Sequence, residues 1–412
     1  MVAVAALAMG IALVTSVAWR SAWAPALGAL AGVAVALAGG AAVPADVGRA
    51  LSEVWRPLIV IVSIMATSAC AAELGVFARL ASWIEPRTRG PVRHAFRFTF
   101  LVSALTAAVL SNDAAILLVT PVVLDLLRAV YPKRSPKFVV PFAFAAFVAA
   151  GVAPLPTGNP MNLVVAARAG ILFHDYALVM IPVAIAGWVA AYAALAWCFR
   201  DVLADEVAAP GAAPPVVPLG RPARIVLLVT AGSVASYPVL ALMGLRPWVV
   251  AAPAACIAIA VARGSGVRVR RVAAGVSWEL VPFVFGVLVL ATALARAGVT
   301  DALAALYAAS PAPLPTVGGV AAVGSALANN HSIALIHSVT LEGAPDRLIY
   351  AALVGGDLGP RLLPIGSLAG LLWLHALRRA GVILPLGTFV RVGAIVTIPS
   401  LAISLGVLWL VT

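Results

Sequence analysis

Two short polar clusters interrupt segments that are otherwise apolar enough to cross a membrane. Ser111-Asn112-Asp113 lies between the apolar runs 101–110 and 114–119, and Ala328-Asn329-Asn330-His331 lies between 317–327 and 333–336. Each is followed by a second interruption rich in Pro and Gly, at 154–162 and at 357–367. Asn112 and Asn329 stand 217 residues apart, and Gly158 and Gly366 stand 208 apart. The side chains of Asn112, Asn159, Asn162, Asn329 and Asn330 both donate and accept hydrogen bonds, and Ser111, Thr157, Ser332 and Ser367 add hydroxyls. Gly158, Gly359 and Gly366 let backbone approach closely. Such groups can hold a hydroxylated or ionic solute, and interrupted hydrophobic segments paired across two halves point to a transporter's substrate site. The plainer role, capping the helix that follows each break, is compatible with binding.

The ionisable residues near the breaks are few. Asp113 is the sharpest candidate: a carboxylate near the bilayer centre is costly unless paired, and one that can take up a proton there is suited to carry it. Histidine as a residue type titrates near neutral pH, so His331, beside the second tip, could relay protons, whereas His337 reads as a packing residue. Asp357 is a further coupling candidate, although it sits four residues from Arg361, where a helical turn would let the two neutralise each other. Glu53 and Glu279 fall near span ends, and Arg168 is expected to snorkel to the outer surface.

The scaffold that must position these groups is announced by composition. Of 412 residues 63% are hydrophobic and 10% charged, with a mean hydropathy of +1.09, too little polar surface to solvate a globular protein. The net charge of +12 lies in short loops between apolar spans, so it reads as membrane topology and argues against nucleic acid as a partner. No Lys or Arg precedes Arg20, so the first apolar run reads as a retained helix and not a cleaved signal peptide. Cys70, Cys198 and Cys256 are widely spaced, which predicts no disulfide framework, no structural metal and no cofactor. Of the three Cys70 merits the most notice, but a buried Cys is usually a small hydrophobe.

Spans are expected near 2–19, 24–43, 57–74, 176–198, 223–243, 247–262, 277–294 and 388–411. Two more, 137–170 and 346–378, are long but broken, and 96–130 and 316–342 read as re-entrant hairpins. Arg79, Arg87, Arg89, Arg93 and Arg97 precede the first hairpin and Arg128, Lys133, Arg134 and Lys137 follow it, placing both flanks in the cytoplasm. The same rule puts Arg263, Arg268, Arg270, Arg271, Arg378 and Arg379 inside and opens the second hairpin outward. The expected fold is all-α: about ten transmembrane helices plus two re-entrant hairpins in an inverted-topology repeat, with both termini outside. Its parts are N-terminal helices 1–56, a first repeat 57–198, a cytoplasmic linker with two connecting helices 199–276, and a second repeat 277–412. Non-helical backbone survives at membrane depth only if buried in protein or lining a wet cavity, so the four breaks must meet.

The stretch 110–121, Leu-Ser-Asn-Asp-Ala-Ala-Ile-Leu-Leu-Val-Thr-Pro, resembles the first hairpin of the arsenite/antimonite efflux permeases, the arsenical pump membrane proteins of the ion transporter superfamily. The stretch 356–369, Gly-Asp-Leu-Gly-Pro-Arg-Leu-Leu-Pro-Ile-Gly-Ser-Leu-Ala, followed by Leu372-Trp373-Leu374-His375, is similar to that family's late signature. The resemblance covers roughly residues 25–411. It implies a multi-pass carrier in the cell's inner, cytoplasmic membrane that expels arsenite or antimonite, driven by protons and, in some members, by an associated cytoplasmic ATPase. Two stretches depart from the family pattern. Thr157-Gly158-Asn159-Pro160-Met161-Asn162 is closer to the wider superfamily of anion and sodium carriers, and Asn329-Asn330-His331-Ser332 lacks the Pro-Thr element that usually follows the Asn pair.

Competing functions remain at this stage. A carrier of the same architecture could move another anion, a dicarboxylate or an inorganic one, or exchange sodium for protons. Asp113 and the Asn-Asn-His tip favour protons over sodium. No HExxH, GxSxG or aspartate-rich prenyl-diphosphate motif is present, so enzyme chemistry has no foothold. A homodimer and a docked cytoplasmic ATPase are both compatible with these residues.

Overall fold

The structure, a computed structural model, describes residues 1–18, 21, 23–76, 79, 91–109, 112–131, 136–204, 218–243, 245–379 and 381–412; some side chains within these helices, including that of Asp113, lie outside the description. The described residues are helical with no strand. Apolar side chains are abundant on the outside as well as the inside: Leu178, Val189, Leu228, Ile398 and Leu410 are each at least 65% exposed, as a surface facing hydrocarbon requires.

Three helices open the chain: α1 (Val2–Ala18), α2 (Ala24–Ala38) and α3 (Pro44–Glu73). Next come α4 (Val92–Val109) and α5 (Asn112–Val130), then α6 (Val140–Ala149), α7 (Pro160–Ala169) and α8 (Phe173–Cys198). The second half runs α9 (Arg221–Leu242), α10 (Trp248–Gly264), α11 (Leu280–Arg296) and α12 (Val299–Ala309). It ends with α13 (Pro313–Ala328), α14 (Asn330–Thr340), α15 (Asp346–Leu358), α16 (Leu368–Arg379) and α17 (Leu386–Val411). Among the described residues α3, α8 and α17 are each long and apolar enough to cross a membrane, and α11 with α12 qualifies as a pair bent by 74°.

The packing has a recurring pattern. α4 lies against α5 and α6, and α13 lies against α14 and α15. α6 packs on α8, and α15 on α17. Two contacts cross over: α7 packs on α14, and α16 on α5. α1 and α2 pair and rest on α11, while α9 and α10 pair and rest on α3. α8 and α17 lie along one another, with Gly187 facing Ser404 so closely that a Cβ there would stand 2.6 Å from the hydroxyl. α13 and α15 meet at backbone distance, because Gly355 and Gly359 leave room for the carbonyls of Gly318 and Ala322.

Three features differ from the sequence expectation. α3 begins at Pro44, well before residue 57, because its polar first turns are satisfied in place. Asp46 accepts from the Val43 N–H at 2.9 Å and pairs with Arg296 at 2.7 Å, with its side chain fully buried. Helix continues beyond the span expected to end at 294, turning at Gly298 (φ 80°) into α12, a conformation that glycine adopts without a Cβ penalty. Arg168, expected to carry its head into water alone, is held by two carboxylates. Its side chain is 16% exposed and paired with Glu53 of α3 and, at 3.0 Å, with Glu342. These residues, with Arg56, Arg246 and Asp346, line a vestibule of about 700 Å³ that reaches Pro156 and Leu163 at the second interruption of the first half.

Candidate functional site

The first Pro/Gly break separates α6 from α7. A 3₁₀ turn spans Pro156–Gly158, and extended backbone at Leu155 and Asn159 brackets it. Asn159 starts α7 as its N-cap, its Oδ1 accepting from the Met161 N–H at 3.1 Å. The second break separates α15 from α16 through 3₁₀ turns at Gly359–Arg361 and Pro364–Gly366. Proline at the start of each of these turns removes a backbone donor and favours the break.

The two breaks meet at Asp357, the penultimate residue of α15. Its Oδ1 accepts from Asn159 Nδ2 at 2.5 Å, and its Oδ2 accepts from Asn162 Nδ2 and from the Ala153 N–H, both at 2.9 Å. Tyr176 extends the network: its hydroxyl accepts from Asn162 at 2.8 Å and donates to the Ala153 carbonyl at 3.1 Å. Arg361 reaches in the same direction, and its Nη2 donates to the Val148 carbonyl. Both charged residues are buried, at 6% and 3% exposure. They form no ion pair within 4.0 Å: the helical turn that would have joined them ends at Leu358, and each is taken up by the first break instead.

Each Asn-bearing tip joins one side of this junction. Asn112 opens α5 and donates through Nδ2 to the Gly151 carbonyl at 2.8 Å. The end of α4 lies close by, with the Ala107 carbonyl 3.6 Å from where a Cβ on Gly158 would be. At the other tip, Asn329 has φ 72°, alone among the described non-glycine residues. Its Oδ1 caps α14 by accepting from the His331 N–H at 2.9 Å. His331 Nδ1 lies 2.7 Å from Asn330 Oδ1, and its ring meets Phe283 edge-on at 5.9 Å. A Cβ on Gly366 would strike the Ser325 carbonyl and Ala326 at the end of α13. Ser367 accepts from the Gly370 N–H at 3.0 Å.

The anticipated residues therefore fall into groups. Asn159, Asn162 and Asp357 are in direct contact, and Asn112 bonds separately to the Gly151 carbonyl, two residues before Ala153. Asn329, Asn330 and His331 form a local cap with no hydrogen bond to Asn112. Thr157 Oγ1 and His331 Nε2 are buried without a partner among the described residues, positions free to receive a ligand or water. Ser111 and the side chain of Asp113 lie outside the described residues. Gly151, Tyr176 and Trp188 were not anticipated. Tyr176 opens an apolar run, where tyrosine usually marks a membrane interface, and nothing local announces its edge-on contact with Tyr350 of α15, ring centroids 5.8 Å apart.

Cys70 is buried, Cys198 half-buried and Cys256 exposed, all as free thiols. Among the described residues no His, Cys, Asp and Glu gather in a way that could hold a metal ion.

Broken helices that close a buried polar junction inside a scaffold with an apolar exterior are the build of a membrane carrier. The model of the arsenical pump membrane protein family matches residues 4–411, and the chain belongs to that family. It is a multi-pass membrane transporter and not an enzyme. An arsenical pump membrane protein of Escherichia coli is 31% identical over 410 residues, covering 94% of this chain and 92% of the relative. An uncharacterized transporter of Mycobacterium tuberculosis is 28% identical over 381 residues, covering 86% of each. Among solved structures the YdaH transporter of Alcanivorax borkumensis, described as having an unusual topology, aligns with a TM-score of 0.59 at 18% identity. It covers 89% of this chain and 87% of that one, a likeness of fold.

Proposed function

We propose that this protein exports arsenite and antimonite across the cytoplasmic membrane by proton-coupled alternating access. The observation that carries the reading is the junction at Asp357, where a carboxylate of the second break is held by three donors of the first. In a carrier built from two repeats, the substrate path runs where the interrupted helices of both repeats meet.

The organisation we propose is ten crossings plus two re-entrant hairpins in an inverted repeat. The first repeat, 57–198, holds hairpin 96–130 and broken helix 137–170; the second, 277–412, holds hairpin 316–342 and broken helix 346–378. Support comes from the matched packing of α4 on α6 and α13 on α15, and from the reciprocal pairs α7 with α14 and α5 with α16. α8 and α17 each contain a proline, Pro182 and Pro399, 217 residues apart like Asn112 and Asn329. Gly187 and Ser404, also 217 apart, touch; contact between equivalent residues is expected only on a two-fold axis. In the positive-inside orientation the vestibule at Arg168 opens to the outer face.

In this reading Ser111, Asn112, Thr157, Gly158, Asn159, Asn162, Asn329, Asn330, Gly366 and Ser367 frame the solute. Asp113, His331 and Asp357 are the proton-coupling set. The test is uptake of radioactive arsenite by everted vesicles or proteoliposomes under separate proton and sodium gradients, with dicarboxylates as competitors. Arsenite uptake that follows the proton gradient supports the proposal. Uptake of a dicarboxylate in its place, or a strict sodium requirement, transfers the chain to one of the rival functions.

A further inference from the structure

Arg361 is a buried cation with donors left over. One nitrogen, Nη2, is bonded to the Val148 carbonyl, while Nε and Nη1 are buried with no partner among the described residues. Asp357 does not answer them, because its oxygens are engaged by Ala153, Asn159 and Asn162. Unmade hydrogen bonds on a buried charged group are among the most costly arrangements a protein can hold. An acceptor that meets these two donors, a solute oxygen or a water, removes that cost.

The break does not need the charges in order to form. Gly151 and Gly359, Pro156 and Pro364, and Gly158 and Gly366 are each 208 residues apart, so the two breaks share one register. In that register Ala149 stands opposite Asp357 and Ala153 opposite Arg361. The first break interrupts its helix with two alanines at those places, whereas the second carries an acid and a base.

A second group of the same chemical kind lies beside Arg361. A Cβ placed on Gly151 would overlap Arg361 Nη2 and would lie 3.6 Å from Trp188 Cδ1. The adjoining indole nitrogen, Trp188 Nε1, is also buried without a partner among the described residues. Guanidinium and indole N–H groups can only donate. The nearby Gly151 carbonyl is already turned toward Asn112. The absent side chain of Gly151 thus adjoins two donor-only groups, which is the polarity that an oxygen-bearing solute complements.

We infer that Arg361, through its unpartnered Nε–H and Nη1–H and aided by the Trp188 indole N–H, binds oxygen of the transported solute. The inference rests on the export reading above and assigns the substrate-binding donor within it. Nη1 lies on the Cδ side of the guanidinium and the Nε–H points to the opposite side, so the two donors address separate oxygens. The trihydroxide of trivalent arsenic or antimony and its deprotonated anion both present oxygens that accept such bonds. Lysine, a point charge on one nitrogen, cannot place donors at both positions.

The test is equilibrium binding of radioactive arsenite to the purified full-length protein in lipid nanodiscs, with a melting curve for each variant. Wild type, Arg361→Lys, Gly151→Ala and Trp188→Phe are compared. Arg361→Lys is expected to weaken binding by about tenfold or more while the ligand-free protein melts near the wild-type temperature. Gly151→Ala, which displaces the guanidinium without removing it, is expected to weaken binding in the same direction, and Trp188→Phe by severalfold. Wild-type affinity in Arg361→Lys, or a lowered melting temperature with unchanged affinity, overturns the inference and leaves export standing. If Arg361→Lys does not fold, unchanged affinity in both other variants overturns it equally. A wild-type protein that binds no arsenite removes the export reading itself, and the inference with it.

Discussion

Asn162 uses both hydrogens of its side-chain amide, one on Asp357 at 2.9 Å and one on the Tyr176 hydroxyl at 2.8 Å. Because the amide occupies the tyrosine oxygen as a donor, the Tyr176 O–H must point elsewhere, and it meets the Ala153 carbonyl at 3.1 Å. The direction of every bond in this chain is thereby set, and the Asp357 carboxylate sits at its accepting end.

Tyr176→Phe deletes one oxygen and leaves two buried partners, the Asn162 amide and the Ala153 carbonyl, unanswered. Unsatisfied buried groups cost about 1–3 kcal/mol each, so the detergent-solubilised variant should melt measurably lower and exchange arsenite more slowly. A melting curve that superimposes on wild type would show that the hydroxyl makes neither bond.

Asp46 does two jobs, receiving the Val43 N–H and pairing with Arg296, whose own side chain is 39% exposed. Asp46→Asn keeps an acceptor for the cap and loses the charge; Asp46→Ala loses both. Since a lost cap costs about 0.5–2 kcal/mol and a partly solvated pair contributes up to about 1 kcal/mol, alanine should be the more damaging change. Equal melting temperatures for the two variants would show that the cap contributes nothing.

The two arms of the Arg168 cluster should differ. Glu342 is 74% exposed and Glu53 29% exposed, so the outer arm is screened by water and the inner one much less. Glu342→Gln is expected to shift stability by less than about 1 kcal/mol, and Glu53→Gln by more, since it leaves Arg168 with only the water-screened arm to Glu342. Melting curves at low and high salt decide the matter: a larger loss for Glu342→Gln would contradict the geometry.

Two glycines of the long helices should respond unequally to alanine. At Gly187 the new methyl would press on the Ser404 hydroxyl, which can rotate, whereas at Gly393 it would overlap the backbone carbonyl of Arg361, which cannot. Overpacking costs typically about 1–3 kcal/mol, so Gly393→Ala should lower the melting temperature or the yield of folded protein while Gly187→Ala changes little. The reverse order would place the α17 contact elsewhere.

Asp113→Asn is expected to abolish arsenite transport driven by a pH gradient while sparing solute exchange at equilibrium, which needs no proton. Asn112→Leu should impair both, because it also releases the Gly151 carbonyl. Gradient-driven transport that survives Asp113→Asn would take the residue out of the coupling set.

Punctuation by Pro, Gly and Asn is local, so the ends of α6, α7, α15 and α16 could be read directly from the residues around 154–162 and 357–367. The start of α3 could not. Asp46, Arg49, Glu53 and Arg56 look like a loop until Arg296 and Arg168, more than a hundred residues away, are seen to compensate two of them. The pairing of Asp357 with Arg361 was expected from their spacing on a continuous helix, but the helix stops between them and each turns to the other break. Tyr176 and Trp188 gave no signal, since an aromatic residue in an apolar span looks the same whether its polar atom faces a neighbour or nothing at all.

The crossed packing of α7 on α14 and α5 on α16 bears on how the molecule is made. When the ribosome has delivered the first two hundred residues, neither α5 nor α7 has yet met its final neighbour, and Asn159 and Asn162 have no Asp357 to hold. The early half must therefore wait in the bilayer with its polar groups provisionally satisfied until the last fifth of the chain arrives. A fragment ending after α8 is an intermediate of biogenesis and not a smaller carrier.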